Sequence, residues 1–134
     1  MNKPIQLLSL ILILMGGFAG SAQAEMSKVG EQAIIKAGEI MFQYRCRSCH
    51  SDDMSHPSYG PPLKNVFGRK AGSVPGFNYS QDLIGSGIIW NEKELRAWIA
   101  DNKSVMPGTR MRHVGIMDKA EQDFLLGYLK HISK

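Results

Sequence analysis

Several features that mark well-known classes of protein are scarce or missing in this sequence of 134 residues. A structural zinc site needs four ligands at suitable spacing, and the sequence contains only one cysteine pair. Beyond residue 24, no apolar run approaches the about 20 residues that cross a bilayer as a helix. The net charge of +4 is too small an excess to indicate nucleic-acid binding. With no internal repeats and no low-complexity tract, composition predicts a small, soluble domain.

The longest apolar run lies at the N-terminus. Residues 5–18 are almost wholly apolar, Lys3 precedes them, and Ala22-Gln23-Ala24 forms a small-x-small cleavage signature after them. We therefore predict that residues 1–24 are the signal peptide of a periplasmic protein, with no stable membrane insertion after cleavage. Removal leaves residues 25–134 as one domain with a net charge of +3.

Three segments carry helical patterns. The first is predicted from Lys28 to Arg45, the second begins after the N-cap candidate Asn91, and the third begins after Asp118. Glu94 and Glu121 stand three residues after the two caps, as in a capping box. The predicted apolar faces are Val29, Ala33, Ala37, Ile40, Met41 and Tyr44 on the first helix, Leu95, Trp98 and Ile99 on the second, and Phe124, Leu125, Tyr128, Leu129 and Ile132 on the third.

The 39 residues from 51 to 89 form a long connection with six glycines and four prolines, and only residues 81–84 favour a helical turn. The segment is nevertheless rich in apolar side chains, and a long unstructured loop is unusual inside a compact domain. Both observations are explained if the loop wraps an apolar group that the sequence does not encode. The pattern therefore indicates a bound cofactor.

Both cysteines lie in Cys46-Arg47-Ser48-Cys49-His50, and C-x-x-C-H is the attachment signature of c-type haem. Each thiol can add to one haem vinyl group, and the adjacent histidine is then placed to bind the iron. A thioredoxin-like redox pair would instead begin a helix within a βαβ unit, whereas this motif follows one. A simple disulfide would leave His50 unexplained.

The second axial ligand of the iron decides between electron transfer and the binding of a small ligand. The candidates are Met26, Met41, Met54, Met106, Met111 and Met117 as thioethers and His56, His113 and His131 as imidazoles. Most methionines in a small domain only fill the core. Met111 is favoured because it follows the turn-prone Pro107-Gly108 pair between two helices, with Met106 and Met117 as weaker candidates.

From residue 38 to residue 128 the sequence resembles the class I cytochromes c, most closely the mitochondrial-type cytochrome c and bacterial cytochrome c2 branch. The resemblance implies an all-α fold in which three main helices and long loops surround one covalently bound haem c. Beside the haem motif, the matching segments are Gly38-Glu39-Ile40-Met41-Phe42, Gly60-Pro61-Pro62-Leu63, Phe67-Gly68-Arg69-Lys70, Pro75-Gly76-Phe77-Asn78-Tyr79-Ser80, Gly87-Ile88-Ile89-Trp90, Pro107 to Met111, and Val114-Gly115-Ile116.

The resemblance also implies roles for individual residues. His50 and Met111 would be the axial ligands, and the Pro61 carbonyl would accept a hydrogen bond from the other ring nitrogen of His50. The first and last helices would cross at Gly38 and Phe42 on one side. The other side of that crossing would be formed by Leu125, Gly127 and Tyr128. Four further residues match positions that bond or neutralise the haem propionates: Arg69, Tyr79, Trp90 and Thr109.

Two positions depart from the family pattern. Trp98 stands where a tyrosine hydroxyl usually reaches the methionine sulfur, and an indole N–H can donate but not accept a hydrogen bond. His113 stands where a phenylalanine commonly shields the haem edge. It is either an ordinary surface histidine or a group whose protonation makes the midpoint potential vary between about pH 5 and 8.

The resemblance predicts a soluble periplasmic electron carrier rather than an enzyme. Its partners would be redox proteins with acidic docking surfaces, steered by basic residues if these surround the haem edge. Two alternatives stay open: a haem-based sensor or ligand binder with a displaceable methionine, and a subunit of a larger respiratory complex that keeps its leader as an anchor. The basic residues are Arg45, Arg47, Lys64, Lys70, Lys103, Arg110 and Arg112.

Overall fold

The computed structural model of the protein describes residues 16–51 and 57–134, and the side chains of residues 16–24 and 26 lie outside this description. The chain divides into two compact units, Met1–Ala33 and Ile34–Lys134. In the first unit the described residues are helical throughout. Residues 1–15 of the expected signal peptide are not described, so that peptide stays a prediction. In the described part of the chain, no helix combines the length and apolarity that crossing a membrane requires.

The described residues form four α-helices and no strand, which confirms the predicted all-α class. The helices are α1 (Gly16–Arg45), α2 (Gln81–Gly85), α3 (Glu92–Val105) and α4 (Lys119–His131). The short α2 lies where the helical turn was predicted.

The starts of α3 and α4 are set by local capping, as predicted. The Asn91 side chain accepts a hydrogen bond from the Glu94 N–H at 3.0 Å, and the Asp118 carboxylate accepts one from the Glu121 N–H at 2.9 Å. Each cap satisfies a backbone donor that has no partner within its helix. The predicted apolar residues of α3 are buried, and α4 buries Leu126 in addition to the predicted Leu125, Tyr128 and Leu129.

The predictions for α1 need two corrections. The helix already includes Gly16, the first described residue, and so extends well before the start predicted near Lys28. The predicted apolar face is wrong in part, because Val29, Ile40 and Tyr44 are exposed while Ala37 and Met41 are half-buried. Among the described side chains of α1, the buried positions are Gly38 and Phe42, the pair that the family resemblance pointed to.

Helices α1 and α4 cross at Gly38. A Cβ built there would collide with the carbonyl oxygen of Phe124 and lie 2.7 Å from the Cβ of Tyr128, so the helix backbones approach more closely than a side chain permits. Phe42, fully buried, stacks its ring 5.4 Å from that of Tyr128 and packs in the same core as Leu125. Burial of such a side chain contributes about 1.5–3 kcal/mol, which anchors the end of α1 that carries the cysteine motif.

The long connection is ordered by backbone hydrogen bonds rather than by regular elements. The Gly68 N–H donates to the Trp90 carbonyl at 2.7 Å, and the Trp90 N–H donates to the Arg69 carbonyl at 2.9 Å. An isolated bridge joins Lys70 to Ile89 beside them. Val66, Val74 and Tyr79 of this connection are buried, whereas Ile84 and Ile89 are exposed.

Candidate haem-binding site

The cysteine motif forms a single turn directly after α1. The N–H groups of Cys49 and His50 donate to the Cys46 carbonyl at 3.0 and 2.8 Å. Both thiols are free, with Cys46 half-buried and Cys49 exposed, and His50 is buried. Burial raises the pKa of the Cys46 thiol to about 11, so this thiol is protonated at neutral pH. The turn therefore presents two thiols and an imidazole from five consecutive residues.

The imidazole of His50 is oriented by a hydrogen bond at its Nδ1 atom. Its Nδ1 donates a hydrogen bond to the Pro61 carbonyl at 2.8 Å, the contact that the resemblance implied. Because Nδ1 is the donor, Nε2 carries the lone pair that can bind a metal. Burial lowers the pKa of His50, opposed by the Pro61 bond, and this favours the neutral ring. Gly60 lies against the ring, where a Cβ would stand 2.9 Å from Nε2.

Met111 is held by three hydrogen bonds. The indole Nε1–H of Trp98 donates to its sulfur at 3.0 Å, the Asn102 amide donates to its carbonyl at 2.9 Å, and its own N–H donates to the Thr109 hydroxyl at 3.2 Å. Trp98 and Asn102 are buried on α3, one helical turn apart. The tryptophan thus reaches the sulfur although it cannot accept a bond in return.

The four residues predicted to serve the haem propionates are buried or half-buried. Arg69 donates to the carbonyls of Pro62 at 2.8 Å and Lys64 at 3.1 Å. Burial raises the pKa of Tyr79, and the positive charge of Arg69 opposes the rise. Trp90 packs edge-to-face on Trp98, with ring centroids 5.2 Å apart. Their contact with propionates stays a prediction.

His113 differs from the surface histidine that was one of its two interpretations. The side chain is half-buried, Nδ1 lies 3.0 Å from the Val114 carbonyl, and Nε2 is buried without a hydrogen-bond partner within the described residues. Burial is the main cause of the lowered pKa of His50, and the charge of His113 lowers it further, so both imidazoles act in the same region.

The remaining candidate ligands are placed as follows. Met41 is half-buried against the core, Met106 is buried, and Met117 and His131 are exposed. The side chain of Met26, and Met54 and His56 entirely, lie outside the described residues. Among the described methionines with a side chain, Met111 is the one whose sulfur accepts a hydrogen bond from a buried side chain.

Two residues of the site were not predicted for these roles. The sequence assigns Gly60 to a segment that matches the family but predicts no role for it, although a glycine before two prolines suggests a position where the backbone packs closely against other atoms. The sequence predicts no role for Asn102, because an asparagine inside a helix has no pattern that indicates contact with a loop residue nine positions later. Both become visible only when the chain segments are brought together.

The described residues fit a covalently bound haem. One turn of the chain presents two thiols and an oriented, neutral imidazole, and the half-buried thioether of Met111 accepts a hydrogen bond from Trp98 of α3. Nε2 of His113 is a buried polar atom that has no partner in the described parts of the chain, as expected where a polar or metal-containing group would complete the site. This donor set of thiols, imidazole and thioether matches the chemistry of haem c.

Sequence similarity to known proteins identifies the family of this chain. The chain is 38% identical over 87 residues to cytochrome c2 iso-2 of Magnetospirillum fulvum, covering 65% of this chain and 91% of the relative. It is 39% identical over 93 residues to cytochrome c2 of Rhodomicrobium vannielii, covering 69% and 74%. It is 35% identical over 97 residues to cytochrome c of Sesamum indicum, covering 72% and 87%. No protein-family model matches the chain.

The helical fold and the haem-attachment turn define a c-type cytochrome, a protein that carries covalently bound haem c and transfers electrons. With relatives in both the bacterial c2 and the mitochondrial-type branches, the chain belongs to the class I c-type cytochromes.

Proposed function

We propose that this cytochrome is a periplasmic electron carrier whose haem is ligated by His50 and Met111. Cys46 and Cys49 would hold the haem through thioethers, and Nε2 of His50 and the sulfur of Met111 would bind its iron. When bound, the haem supplies an iron that alternates between ferrous and ferric states. The observation that carries the proposal is that each ligand is held by a second residue, His50 by Pro61 and Met111 by Trp98.

The protein's own residues supply orientation. The Pro61 bond fixes the plane of the His50 ring and its tautomer, which makes Nε2 a better electron donor. Trp98 and Asn102 fix the thioether and its backbone. Ligands that are already in place in the folded chain need little rearrangement when an electron arrives or leaves. This arrangement favours electron transfer over the alternative of a sensor with a displaceable methionine, because Met111 is held at both its sulfur and its backbone.

An optical spectrum of the oxidised protein tests the ligation. We expect the sulfur-to-iron charge-transfer band in the wild type and its loss in Met111→Ala. Met106→Ala is the matched control, because Met106 is a buried methionine of the same region whose sulfur accepts no such bond among the described contacts. An oxidised wild type without the band, or a band that survives Met111→Ala, would refute methionine ligation through Met111.

Export and partner choice are also part of the proposal. Residues 1–24 would be removed on export, and redox partners would dock through acidic surfaces. In support, all seven basic residues singled out in the sequence are exposed. One of them, Arg45, already pairs with Glu121 at 3.3 Å, which reduces its contribution to steering.

Two measurements address these points. The intact mass of the purified protein reports leader removal and covalent haem together; a mass that retains residues 1–24 would contradict cleavage. The rate of electron exchange with an acidic partner should fall steeply as salt is added, since at 0.1 M salt the attraction between exposed charges more than about 10 Å apart is largely screened. A rate that does not change with salt would argue against electrostatic steering.

A further inference from the structure

Helix α3 is broken at Asp101. This residue has φ −156° and ψ 87°, far from helical values, although the helix continues beyond it to Val105. Its carboxylate accepts the N–H groups of Lys103 and Ser104, each at 3.1 Å, as an N-cap does. The last turn of α3 is therefore a separately capped segment whose direction differs from that of the preceding turns.

The break opens the backbone of α3 to the loop that follows Met111. In a regular helix the Lys103 N–H would donate to the Ile99 carbonyl, but here it donates to Asp101. The Ile99 carbonyl instead accepts the Ile116 N–H at 2.8 Å. Beside it, a Cβ at Gly115 would collide with the Ala100 carbonyl, so the loop lies directly on the helix backbone.

Asn102 lies immediately after the break and is 3% exposed. Its amide donates to the Met111 carbonyl at 2.9 Å, while Trp98, one turn earlier, donates to the Met111 sulfur at 3.0 Å. A buried amide is costly to desolvate unless it is hydrogen-bonded, so its burial against this carbonyl indicates that the contact is part of the packed structure. One face of α3 thus holds the same methionine at its backbone and at its side-chain tip.

We infer that Asn102 is a positioning residue for the sulfur of Met111, fixing the backbone so that the thioether is held ready for the iron. The inference rests on the proposed ligation by Met111. Without the amide, the Met111 carbonyl loses its buried donor, and the loop loses the bond that joins the backbone of Met111 to α3. The sulfur then spends more time away from its bound position, and the site opens to a competing ligand.

Free imidazole measures this opening in the haem-loaded protein. It binds only when the methionine has left, so its apparent affinity rises in proportion to the open fraction. Asn102→Leu keeps the size of the side chain and removes the donor, and Asn102→Ala removes the donor without adding bulk. The band from sulfur to iron reports methionine ligation during the titration, and thermal unfolding of each variant reports global stability.

Gln122→Leu is the matched control. Gln122 is 5% exposed and donates its amide to the Ile116 carbonyl at 2.7 Å, so this variant removes a buried amide-to-carbonyl bond from the same loop without touching Met111. It should lower the unfolding temperature as the Asn102 variants do. Its affinity for imidazole should stay within about twofold of the wild type.

We expect both Asn102 variants to bind imidazole about tenfold more tightly than the wild type, the change that corresponds to about 1.4 kcal/mol. An increase below about threefold relative to Gln122→Leu, in either Asn102 variant, refutes the positioning role while leaving methionine ligation intact. A wild-type spectrum that lacks the sulfur-to-iron band refutes the proposed ligation itself, and the role of Asn102 with it.

Discussion

Replacing Gly38 by alanine tests the crossing of α1 and α4. The added Cβ would collide with the Phe124 carbonyl oxygen, and it would stand 2.8 Å from the Phe124 carbonyl carbon and 2.7 Å from the Tyr128 Cβ. Two of these three atoms are backbone and the third is the first side-chain atom, so none can rotate away. The helices must separate, which loosens the packing of Phe42 against Tyr128.

The expected magnitude comes from two opposing effects. Alanine is more favourable than glycine in a helix by about 1 kcal/mol. Overpacking a core contact costs about 1–3 kcal/mol, and the rigid neighbours of Gly38 place it at the upper end of that range. Gly38→Ala should therefore lower the free energy of unfolding by about 2 kcal/mol. For a unit of this size, the unfolding temperature should fall by about 8–16 °C.

Gly127→Ala is the control on the partner helix. Its Cβ would meet one atom, a methyl carbon of Ile34 at 2.7 Å, and Ile34 is 42% exposed and free to rotate outward. The same gain in helix propensity should leave this variant within about 1 kcal/mol of the wild type. Both variants are compared by circular dichroism during heating of the haem-loaded protein. If Gly38→Ala unfolds at or above the wild-type temperature, the inferred backbone contact is wrong.

Three further predictions concern the site and its supports. Gly60→Ala should push the His50 ring from its place and reduce the yield of haem-loaded protein, measured by absorbance per polypeptide; an unchanged yield contradicts the packing inferred for this glycine. Hydrogen bonds, chiefly from Ser104, hold the pKa of Asp101 below its usual value of 3.8. The ionised carboxylate therefore stabilises the folded state at pH values above 3.8. This contribution is lost as the pH falls through the lower pKa of the folded state. The unfolding temperature of Asp101→Asn should therefore vary less than that of the wild type between about pH 5 and 2, and parallel curves count against the cap. Trp98→Phe removes the N–H that draws electron density from the sulfur of Met111. The midpoint potential, measured by potentiometric titration, should therefore be lower than in the wild type. An unchanged potential means that the bond is not formed in solution.

Local chemistry explains which elements were predictable. Asn91 and Asp118 cap helices through bonds to an N–H three residues ahead, and such bonds depend only on neighbouring residues. The apolar face of α1 was predicted wrongly because periodicity counts apolar side chains. The closest approach of the two helices is at a glycine, which has none. The family resemblance identified Gly38 where the hydropathy pattern could not.

The features of the site also separate into those that local sequence predicts and those that depend on distant contacts. The spacing of Cys46, Cys49 and His50 within five residues suffices to indicate haem attachment, since all three groups leave one turn of chain. The bonds of Asn102 to Met111 and of Gln122 to the loop join distant segments, as does the approach of Gly60 to His50. None has a signature in the order of residues, because each requires the break in α3 or the path of the long connection to bring its partners together. The sequence by itself determined which group is bound and where it is attached. Only the tertiary structure decided how His50 and Met111, the two proposed ligands, are held, because orientation depends on contacts between elements that are far apart in the chain.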